Sequence, residues 1–430
     1  MKRPNCLWLL SRGWRLRKRY LILQKIVLQV QMDTLQHFLK APGQLLGTIF
    51  FIMGKLLKQI NATIIALIPK VQMPARVSEY RPISCCNVLY KVITKLIVKR
   101  MQTVLHLLID SLQNTFVPGR SIANNILLAQ ELLAGYNQVK RPPRCTIKVD
   151  LKKAYDSVEW DYLLEVLKSF NFSTRFIRWI EQCISTANFS ISLNGSIYGF
   201  FPSTCGLGQG DPMSPYLFVL ILESWHTLIR HCVQLSPQFQ FHWKCKELEI
   251  LNLCFVDDVL LFCRADIPSV QTFKDALCEF AALSGLQVNA QKSQIILSRS
   301  VQQDKQQIVD LLGFQEGPLP IKYLGIPLVS SRLTNAGCST LVQKLDSRLA
   351  GWNNLNLSFA ARAQLIKSIF YTVCYPLAST SFYNCPLAYV TSRQVQDCKA
   401  WVPSLASDTG KTHHDGLTVA VSGGWRMRPM

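Results

Sequence analysis

Residues 251–263 read LNLCFVDDVLLFC, and this stretch decides the fold that we predict for the chain. Two apolar runs rich in Phe, Leu and Val flank one adjacent pair of carboxylates, Asp257 and Asp258. Strand-forming residues on both sides of a two-residue acidic step predict a β-hairpin with the aspartates at its turn. An ordinary Asp-containing turn would have the same pattern, so the hairpin alone does not assign a function.

A third carboxylate, Asp150, ends the apolar stretch CTIKVD. The patterns that follow it predict helices, the two hairpin strands, a helix that ends at Gly285 as its C-cap, and a last strand. This order is typical of the split β-α-β arrangement, which we expect to place the strand of Asp150 beside the hairpin. Three carboxylates at strand ends are hard oxygen ligands of the kind that Mg²⁺ prefers. We therefore predict an α+β fold with one magnesium site formed by Asp150, Asp257 and Asp258.

The composition indicates a polyanionic partner. The chain has 430 residues and a formal net charge of +21, which favours nucleic acid first and an anionic membrane surface second. None of the fifteen cysteines is spaced C-x-x-C, so we expect free thiols in a reducing compartment, the nucleus or cytoplasm. No apolar stretch is long enough to cross a bilayer, and we expect neither a transmembrane segment nor secretion.

Three cationic side chains precede predicted helices. Lys70 and Arg81 come before an amphipathic helix, and Pro82 holds Arg81 out of the helical conformation, so its guanidinium could meet phosphate oxygens. A solvated helix surface explains the same pattern. Arg120 lies just before the next helix, near N–H groups that also favour anions. The stiff basic connector 141–144 predicts a domain boundary at residue 144.

The C-terminal third is predominantly helical between residues 341 and 378. Basic residues alternate there with apolar and aromatic ones, which suits contact with nucleic acid, although an ordinary solvated face fits equally well. The candidates for such contacts, beside Arg120, are Arg348, Arg362 and Lys367. From residue 383 the pattern is lost, and we expect a disordered tail.

Seven stretches in a fixed order carry a resemblance to a known family. They are YRPISCCN, VPGRS, KVDLKKAYD, GLGQGDPMSP, FVDD, LQVNAQKS and KYLGIPL. Together they resemble the reverse transcriptases of plant LINE-type (non-LTR) retrotransposons. The resemblance implies a right-hand polymerase with fingers (55–144), a split β-α-β palm (145–330) and a helical thumb (331–382). A basic N-terminal segment (1–54) and the tail (383–430) match the family poorly.

The resemblance implies RNA-directed DNA polymerase activity, which extends a DNA primer on an RNA template with deoxynucleoside triphosphates. Asp150, Asp257 and Asp258 would hold two Mg²⁺ ions, with Mn²⁺ as a possible substitute, and the Leu151 carbonyl would complete one coordination shell. The remaining roles implied by the resemblance are contact with the triphosphate by Lys70 and Arg81, and protonation of pyrophosphate by Lys292.

Two further motifs surround this predicted site. Tyr155 falls where the family places a steric gate against the 2′-hydroxyl of ribonucleotides, while core packing is the alternative role for its ring. Gln209 and Gly210 match the loop that packs on the incoming base and the template. We expect Asp156 and Asp211 to be structural and to bind local backbone amides.

Departures from the family pattern leave alternatives open. Val256 replaces the usual alanine before the two aspartates, and the block that begins at Lys40 does not continue as the family does. These departures, with neither an endonuclease domain before the polymerase nor a ribonuclease H after it, suggest a truncated or degenerate copy. A catalytically inactive nucleic-acid-binding remnant is therefore a second hypothesis, and an RNA-binding protein similar to intron maturases is a third.

Overall fold

The computed structural model describes residues 54–301 and 304–330, together with residue 343. The helices of this part are α1 (Val88–Leu108), α2 (Ile122–Leu133), α3 (Trp160–Ser169), α4 (Thr174–Ser185), α5 (Ser214–Leu235), α6 (Ile267–Ser284) and α7 (Lys305–Leu312). The strands are β1 (Ala62–Pro69), β2 (Tyr80–Cys85), β3 (Arg144–Asp150), β4 (Asn188–Leu193), β5 (Ser196–Pro202), β6 (Asn252–Phe255), β7 (Asp258–Arg264), β8 (Gln294–Leu297), β9 (Gln315–Glu316), β10 (Ile321–Tyr323) and β11 (Ile326–Leu328).

A five-stranded sheet has the order β6-β7-β3-β8-β9, and β3 is antiparallel to both β7 and β8. The first strand of the predicted split β-α-β unit therefore lies between the hairpin and the last strand. This confirms the predicted topology. Since the hairpin β6–β7 supplies its second strand to β3, residues far apart in the sequence become direct neighbours.

Strands β3, β6, β7 and β8 of this sheet are buried on both faces, to which their successive side chains point alternately. On one face Val149 and Leu261 join the larger apolar core, which includes α5 and α6. On the other face Leu260 and Phe262 pack in a smaller core with α2 and the hairpin β10–β11. The continuous apolar runs of these strands are thus explained by burial on two sides.

A second, four-stranded sheet has the order β2-β1-β4-β5. β1 pairs in parallel with β4, so that Ala62 lies opposite Asn188. Strands β4 and β5 come from the segment 145–330 that we predicted as the palm, yet they join a sheet with strands from 55–144. The chain therefore passes between the two predicted regions more than once, and the exact boundaries stay predictions.

Local signals in the sequence explain the limits of α6. The Asp266 side chain accepts a hydrogen bond from Ser269 N at 2.9 Å and so caps the first turn. The helix ends at Gly285, whose φ of +78° lies in the left-handed region, as predicted for a C-cap. None of the helices in the described ranges is both long and apolar enough to cross a membrane. The predicted thumb, the tail and residues 1–53 lie outside the described part of the chain, apart from residue 343.

Candidate active site

The pairing of β3 with β7 brings two of the three predicted acids together. Asp150 and Asp258 are Cα partners at the ends of their strands. Opposite residues of an antiparallel pair lie on the same face, with Cα atoms about 4.5–5.5 Å apart. The two-residue turn between β6 and β7 is Val256–Asp257, so Asp258 is the first residue of β7 and is not in the turn, where the sequence had predicted both aspartates. The expected proximity of Asp150 to the hairpin is therefore confirmed.

The electrostatics of these acids follow from their crowding. Burial raises the pKa of the Asp258 carboxyl, and the charges of Asp257 and Asp150 raise it further, whereas Lys148 lowers it. The Lys148 Nζ atom lies 3.7 Å from Asp258 Oδ1 and also donates to the Lys322 carbonyl at 2.9 Å. A bound cation would relieve the same repulsion between carboxylates.

The donor set fits Mg²⁺, because carboxylate oxygens are the ligands that this ion prefers. In residues 54–301 and 304–330, however, no group of three or more His, Cys, Asp or Glu side chains is already arranged to hold a metal ion. Asp258 faces Lys148, and Asp150 Oδ2 accepts a hydrogen bond from Asn289 Nδ2 at 3.2 Å. Each of these contacts engages one carboxylate oxygen, so the second oxygen of each acid could still bind a cation.

The turn at residues 289–293 holds the end of β3. Asp150 N donates to Ser293 Oγ at 3.1 Å, and Asn289 N donates to the Asp150 carbonyl at 2.8 Å. Sequence reasoning missed Asn289 and Ser293, although both stand in the quoted block LQVNAQKS. Lys292 is exposed in this same turn, next to Ser293. The proton-donor role of Lys292 stays a prediction, as does the coordination by the carbonyl of Leu151, which is buried and pairs with Val288.

The contacts of the Tyr155 ring bear on its alternative role in core packing. It stacks on Phe218 with ring centroids 4.9 Å apart, as core packing requires. Burial raises the pKa of its phenol to about 12, and the nearby charge of Asp257 acts in the same direction. The half-buried ring thus lies close to the acidic turn, and the gate role stays a prediction.

The loop at residues 206–210 connects the four-stranded sheet to this region. Ser84 N of β2 donates to the Gln209 carbonyl at 2.7 Å, and Gln209 Nε2 donates to Asp156 Oδ1 at 3.3 Å. Gly210 has a φ of +108°, and a Cβ atom there would lie 3.0 Å from the Ser84 carbonyl oxygen. This close approach of two backbones explains the requirement for glycine.

Two acids, Asp156 and Asp211, were expected to bind local backbone amides, but the Asp156 carboxylate accepts its hydrogen bond from the side-chain amide of Gln209. Burial raises the pKa of Asp156, which the Gln209 hydrogen bond and the charges of Lys153 and Lys70 partly offset. Asp211 is 6% exposed, and it accepts hydrogen bonds from Tyr90 Oη at 2.8 Å and from Met213 N at 3.0 Å. Asp211 thus binds a local amide, as expected.

The cations predicted to bind the triphosphate belong to the four-stranded sheet. Lys70 follows β1, and its Nζ atom donates to the Ser78 carbonyl at 2.8 Å. Arg81 is exposed on β2, opposite Ile68 of β1. The charge of Lys70 lowers the pKa of Asp156, the side chain that accepts a hydrogen bond from Gln209. Their contacts with a triphosphate stay predictions.

Arg120 has a different environment from the one we expected. Its guanidinium donates to three backbone carbonyls of the preceding loop, those of Ile109 at 3.0 Å, Gln113 at 2.5 Å and Asp110. These bonds close its own loop and leave phosphate contact a prediction only. The other candidates for nucleic-acid contact, Arg348, Arg362 and Lys367, lie outside the described residues.

Two proteins of transposable elements are similar in sequence to this chain. An uncharacterized 149 kDa protein of transposon TX1 from Xenopus laevis is 25% identical over 324 residues, which cover 74% of this chain and 24% of that protein. The Pol polyprotein of the type-2 retrotransposable element R2DM from Drosophila melanogaster is 24% identical over 283 residues, or 64% of this chain and 26% of that protein. The chain thus spans about a quarter of the length of these relatives.

Solved structures and a family match complete the comparison. Apo telomerase from Candida tropicalis, truncated from its C-terminal domain, has a TM-score of 0.43 and 17% identity over 64% of this chain and 55% of that one. Residues 68–328 match the family described as reverse transcriptase (RNA-dependent DNA polymerase). Because this match covers more than half of the sequence, the chain belongs to the reverse transcriptase family.

Proposed function

We propose that this chain extends a DNA primer on an RNA template, with deoxynucleoside triphosphates as substrates and two Mg²⁺ ions held by Asp150, Asp257 and Asp258. The observation that carries the proposal is the register of β3 against β7, which sets Asp150 opposite Asp258 and next to the turn of Asp257. Family membership supports the same activity.

The reaction is the attack of a primer 3′-hydroxyl on the α-phosphate, with pyrophosphate as the leaving group. Bound divalent ions would supply charge stabilisation for the attacking and leaving oxygens. The three carboxylates would hold these ions, while Lys70 and Arg81 would neutralise the triphosphate. Lys292, exposed in the turn that holds Asp150, would give its proton to the departing pyrophosphate. Positioning and electrostatics supply most of the catalysis in phosphoryl transfer.

The excess of positive charge supports an extended contact with the template and primer. The chain carries 47 Lys and Arg residues against 26 Asp and Glu. An RNA–DNA duplex is near A-form and is recognised through phosphates and 2′-hydroxyls more than through base edges. We therefore expect binding that weakens with salt and depends little on sequence.

The test is primer extension by the purified chain on poly-rA/oligo-dT with Mg²⁺. The Asp257→Asn/Asp258→Asn double variant is the control, because it keeps the size of both side chains and removes their charge. We expect extension by the intact chain and a loss of at least about a thousandfold in the variant. Equal extension by both would contradict the triad, whereas salt-sensitive binding without any extension would favour the inactive remnant.

The source and the location of the chain are also proposals. The run of motifs from YRPISCCN to KYLGIPL supports a plant LINE-type element. A reducing location in the nucleus or cytoplasm is supported by the cysteines of the described residues, such as Cys145 and Cys263, which are free thiols although they are Cα partners on β3 and β7. Recovery of a glycosylated form from culture medium would contradict that location.

A further inference from the structure

We propose that Thr115 and Asn125 are positioning residues that hold the turn of Val256 and Asp257 in its active conformation. We call this pair the polar latch. The inference rests on the proposed function, and it assigns a role to a loop whose sequence had indicated only contact with phosphate. The latch contacts the backbone of the hairpin at the end of β6 and at the first residue of the turn, residues 254 and 256.

Two hydrogen bonds form the latch. Val256 N donates to Thr115 Oγ1 at 3.3 Å, and Asn125 Nδ2 donates to the Cys254 carbonyl at 3.0 Å. Thr115 is 2% exposed and Asn125 is 1% exposed; the bond of Asn125 is buried, and that of Thr115 is partly buried. Buried backbone groups without a partner cost free energy, which gives both contacts a direct effect on the hairpin.

The turn needs such support because its backbone is strained. Val256 has a φ of +54°, in the left-handed region that β-branched residues rarely adopt. A two-residue hairpin turn with a positive φ at its first central position favours glycine there. With valine at this position, the conformation persists only if the surroundings enforce it. The hydroxyl of Thr115 is the acceptor that the structure provides for this amide.

The latch is itself fixed to the rest of the molecule. Asn114 Nδ2 donates to the side-chain oxygen of Asn125 and orients that amide. The guanidinium of Arg120 closes the loop through the carbonyls of Ile109, Asp110 and Gln113. Asp110 N donates to Glu223 Oε2 of α5 at 3.0 Å, which ties the loop to the helix. Arg120 therefore contributes to the site indirectly, because its hydrogen bonds fix the conformation of the loop that carries Thr115.

The consequence for catalysis concerns the chemical step more than substrate binding. Asp257 follows Val256 directly, so the φ and ψ of Val256 set the direction of its carboxylate. If the latch is lost, the turn can relax toward a less strained backbone and carry Asp257 away from Asp150 and Asp258. A misplacement of a catalytic group by about 1 Å can lower kcat by about a hundredfold. The proposed nucleotide contacts on the four-stranded sheet and the loop of Gln209 would stay in place, so the KM for nucleotide should change little.

The experiment compares three threonine variants of the full chain. Thr115→Val keeps the shape of the side chain and removes the hydroxyl, and Thr115→Ser restores it. Thr272→Val is the matched control, because Thr272 is also a buried threonine but bonds only within α6 and to Ser236. We expect Thr115→Val to lower kcat about ten- to a hundredfold with little change in the KM for nucleotide. The serine variant and the control should keep kcat within about threefold of the parent chain.

The same Thr115→Val substitution in a Val256→Gly chain tests the role of the strained backbone at residue 256. Glycine adopts positive φ without steric cost, so in a Val256→Gly chain the turn depends less on the latch. There we expect Thr115→Val to lower kcat by less than about threefold. An equal loss in both backgrounds, or a loss that Thr115→Ser does not repair, would overturn the proposal.

Amide hydrogen exchange separates this inference from the proposed function. In the peptide that covers residues 251–263, Thr115→Val should speed exchange at the turn, and Thr115→Ser should restore the slow rate. This readout needs no polymerase activity. An inactive parent chain with this exchange pattern would overturn the proposed function and keep the latch, whereas unchanged exchange would overturn the latch even in an active enzyme.

Discussion

The two sheets of this molecule differ in how much of their apolar surface is covered. In the five-stranded sheet Leu260 and Phe262 of β7 are 0% exposed, because helices lie on one face and α2 with the hairpin β10–β11 on the other. In the four-stranded sheet all seven residues of β5 are exposed, and Phe200 is 67% exposed. Asp150 and Asp258 lie on the five-stranded sheet, which we call the covered sheet. Arg81 lies on the four-stranded sheet, the open sheet, and Lys70 directly follows its strand β1.

The difference in burial suits the two sheets to two different roles in the proposed function. A site that must orient charged groups benefits from a rigid and partly desolvated base, since electrostatic interactions are stronger where water is excluded. A surface that must admit a nucleotide and a template benefits from accessible side chains. We infer that burial of the five-stranded sheet stabilises the acidic end of β3 and β7, and that stability is spread unevenly over the molecule.

The largest expected change in the free energy of unfolding comes from a substitution at the centre of the covered sheet. Phe262→Ala should lower the free energy of unfolding by about 3–5 kcal/mol, because the vacated volume lies inside a packed core. The matched substitution on the open sheet, Phe200→Ala, should change it by no more than about 0.5 kcal/mol. Urea unfolding of both variants measures the contrast. Similar losses in the two variants would remove the distinction between the sheets.

The pH dependence of stability tests a buried residue beside the covered sheet, His242, whose ring packs against Phe262. Burial lowers the pKa of His242 to about 4, and the charges of Arg144 and Lys244 act in the same direction. The folded state keeps this ring neutral, so below the ordinary pKa of 6.5 the unfolded state binds the extra proton. Above pH 6.5 the ring is neutral in both states, so it does not lower the free energy of unfolding. As the pH falls from 6.5 toward 4, protonation of the unfolded state lowers the free energy of unfolding by up to about 3 kcal/mol.

The variant His242→Asn isolates this contribution. His242 Nδ1 accepts a hydrogen bond from Lys244 N at 3.3 Å, and an asparagine oxygen can accept the same bond. The stability difference between the parent chain and the variant should shrink as the pH falls from 6.5 to 4. A constant difference for His242→Asn would contradict burial of a neutral ring.

The smallest expected effect lies where the two sheets meet. Gly210→Ala should cost about 1–3 kcal/mol, because alanine at positive φ is strained and its Cβ would press on the Ser84 carbonyl. Gly195→Ala, at the tip of the β4–β5 hairpin, meets the same φ penalty but nothing within 4 Å, so about 1 kcal/mol is expected. Thermal unfolding and the KM for nucleotide check both variants. An unchanged KM in Gly210→Ala would argue against a nucleotide role for this loop.

Much of the covered sheet could be predicted from the sequence. Alternating and continuous apolar runs identified β3, β6, β7 and β8, and the split β-α-β order placed Asp150 beside the hairpin. The predicted α+β polymerase fold and the reverse transcriptase family are confirmed. These predictions succeed because each depends on local periodicity and on turns that the sequence marks clearly.

The open sheet and the loop of Arg120 show what the sequence could not reveal. Parallel pairing of β1 with β4 depends on contacts between distant segments, for which neither strand carries a local signal. Arg120 was placed correctly before α2, but no pattern indicates that its guanidinium would bond to Ile109, Asp110 and Gln113 carbonyls. The polar contacts of Asn289 and Ser293 with Asp150 were missed for the same reason.

The pairing of β1 with β4 also has a consequence for biosynthesis. When β1 leaves the ribosome, β2 can cover one of its edges soon afterwards, but the other edge waits until β4 has been synthesised. Closing such a long loop is slow, and the uncovered edge can recruit other chains meanwhile. A nascent chain arrested before residue 188 should therefore be prone to aggregation and should depend on chaperones.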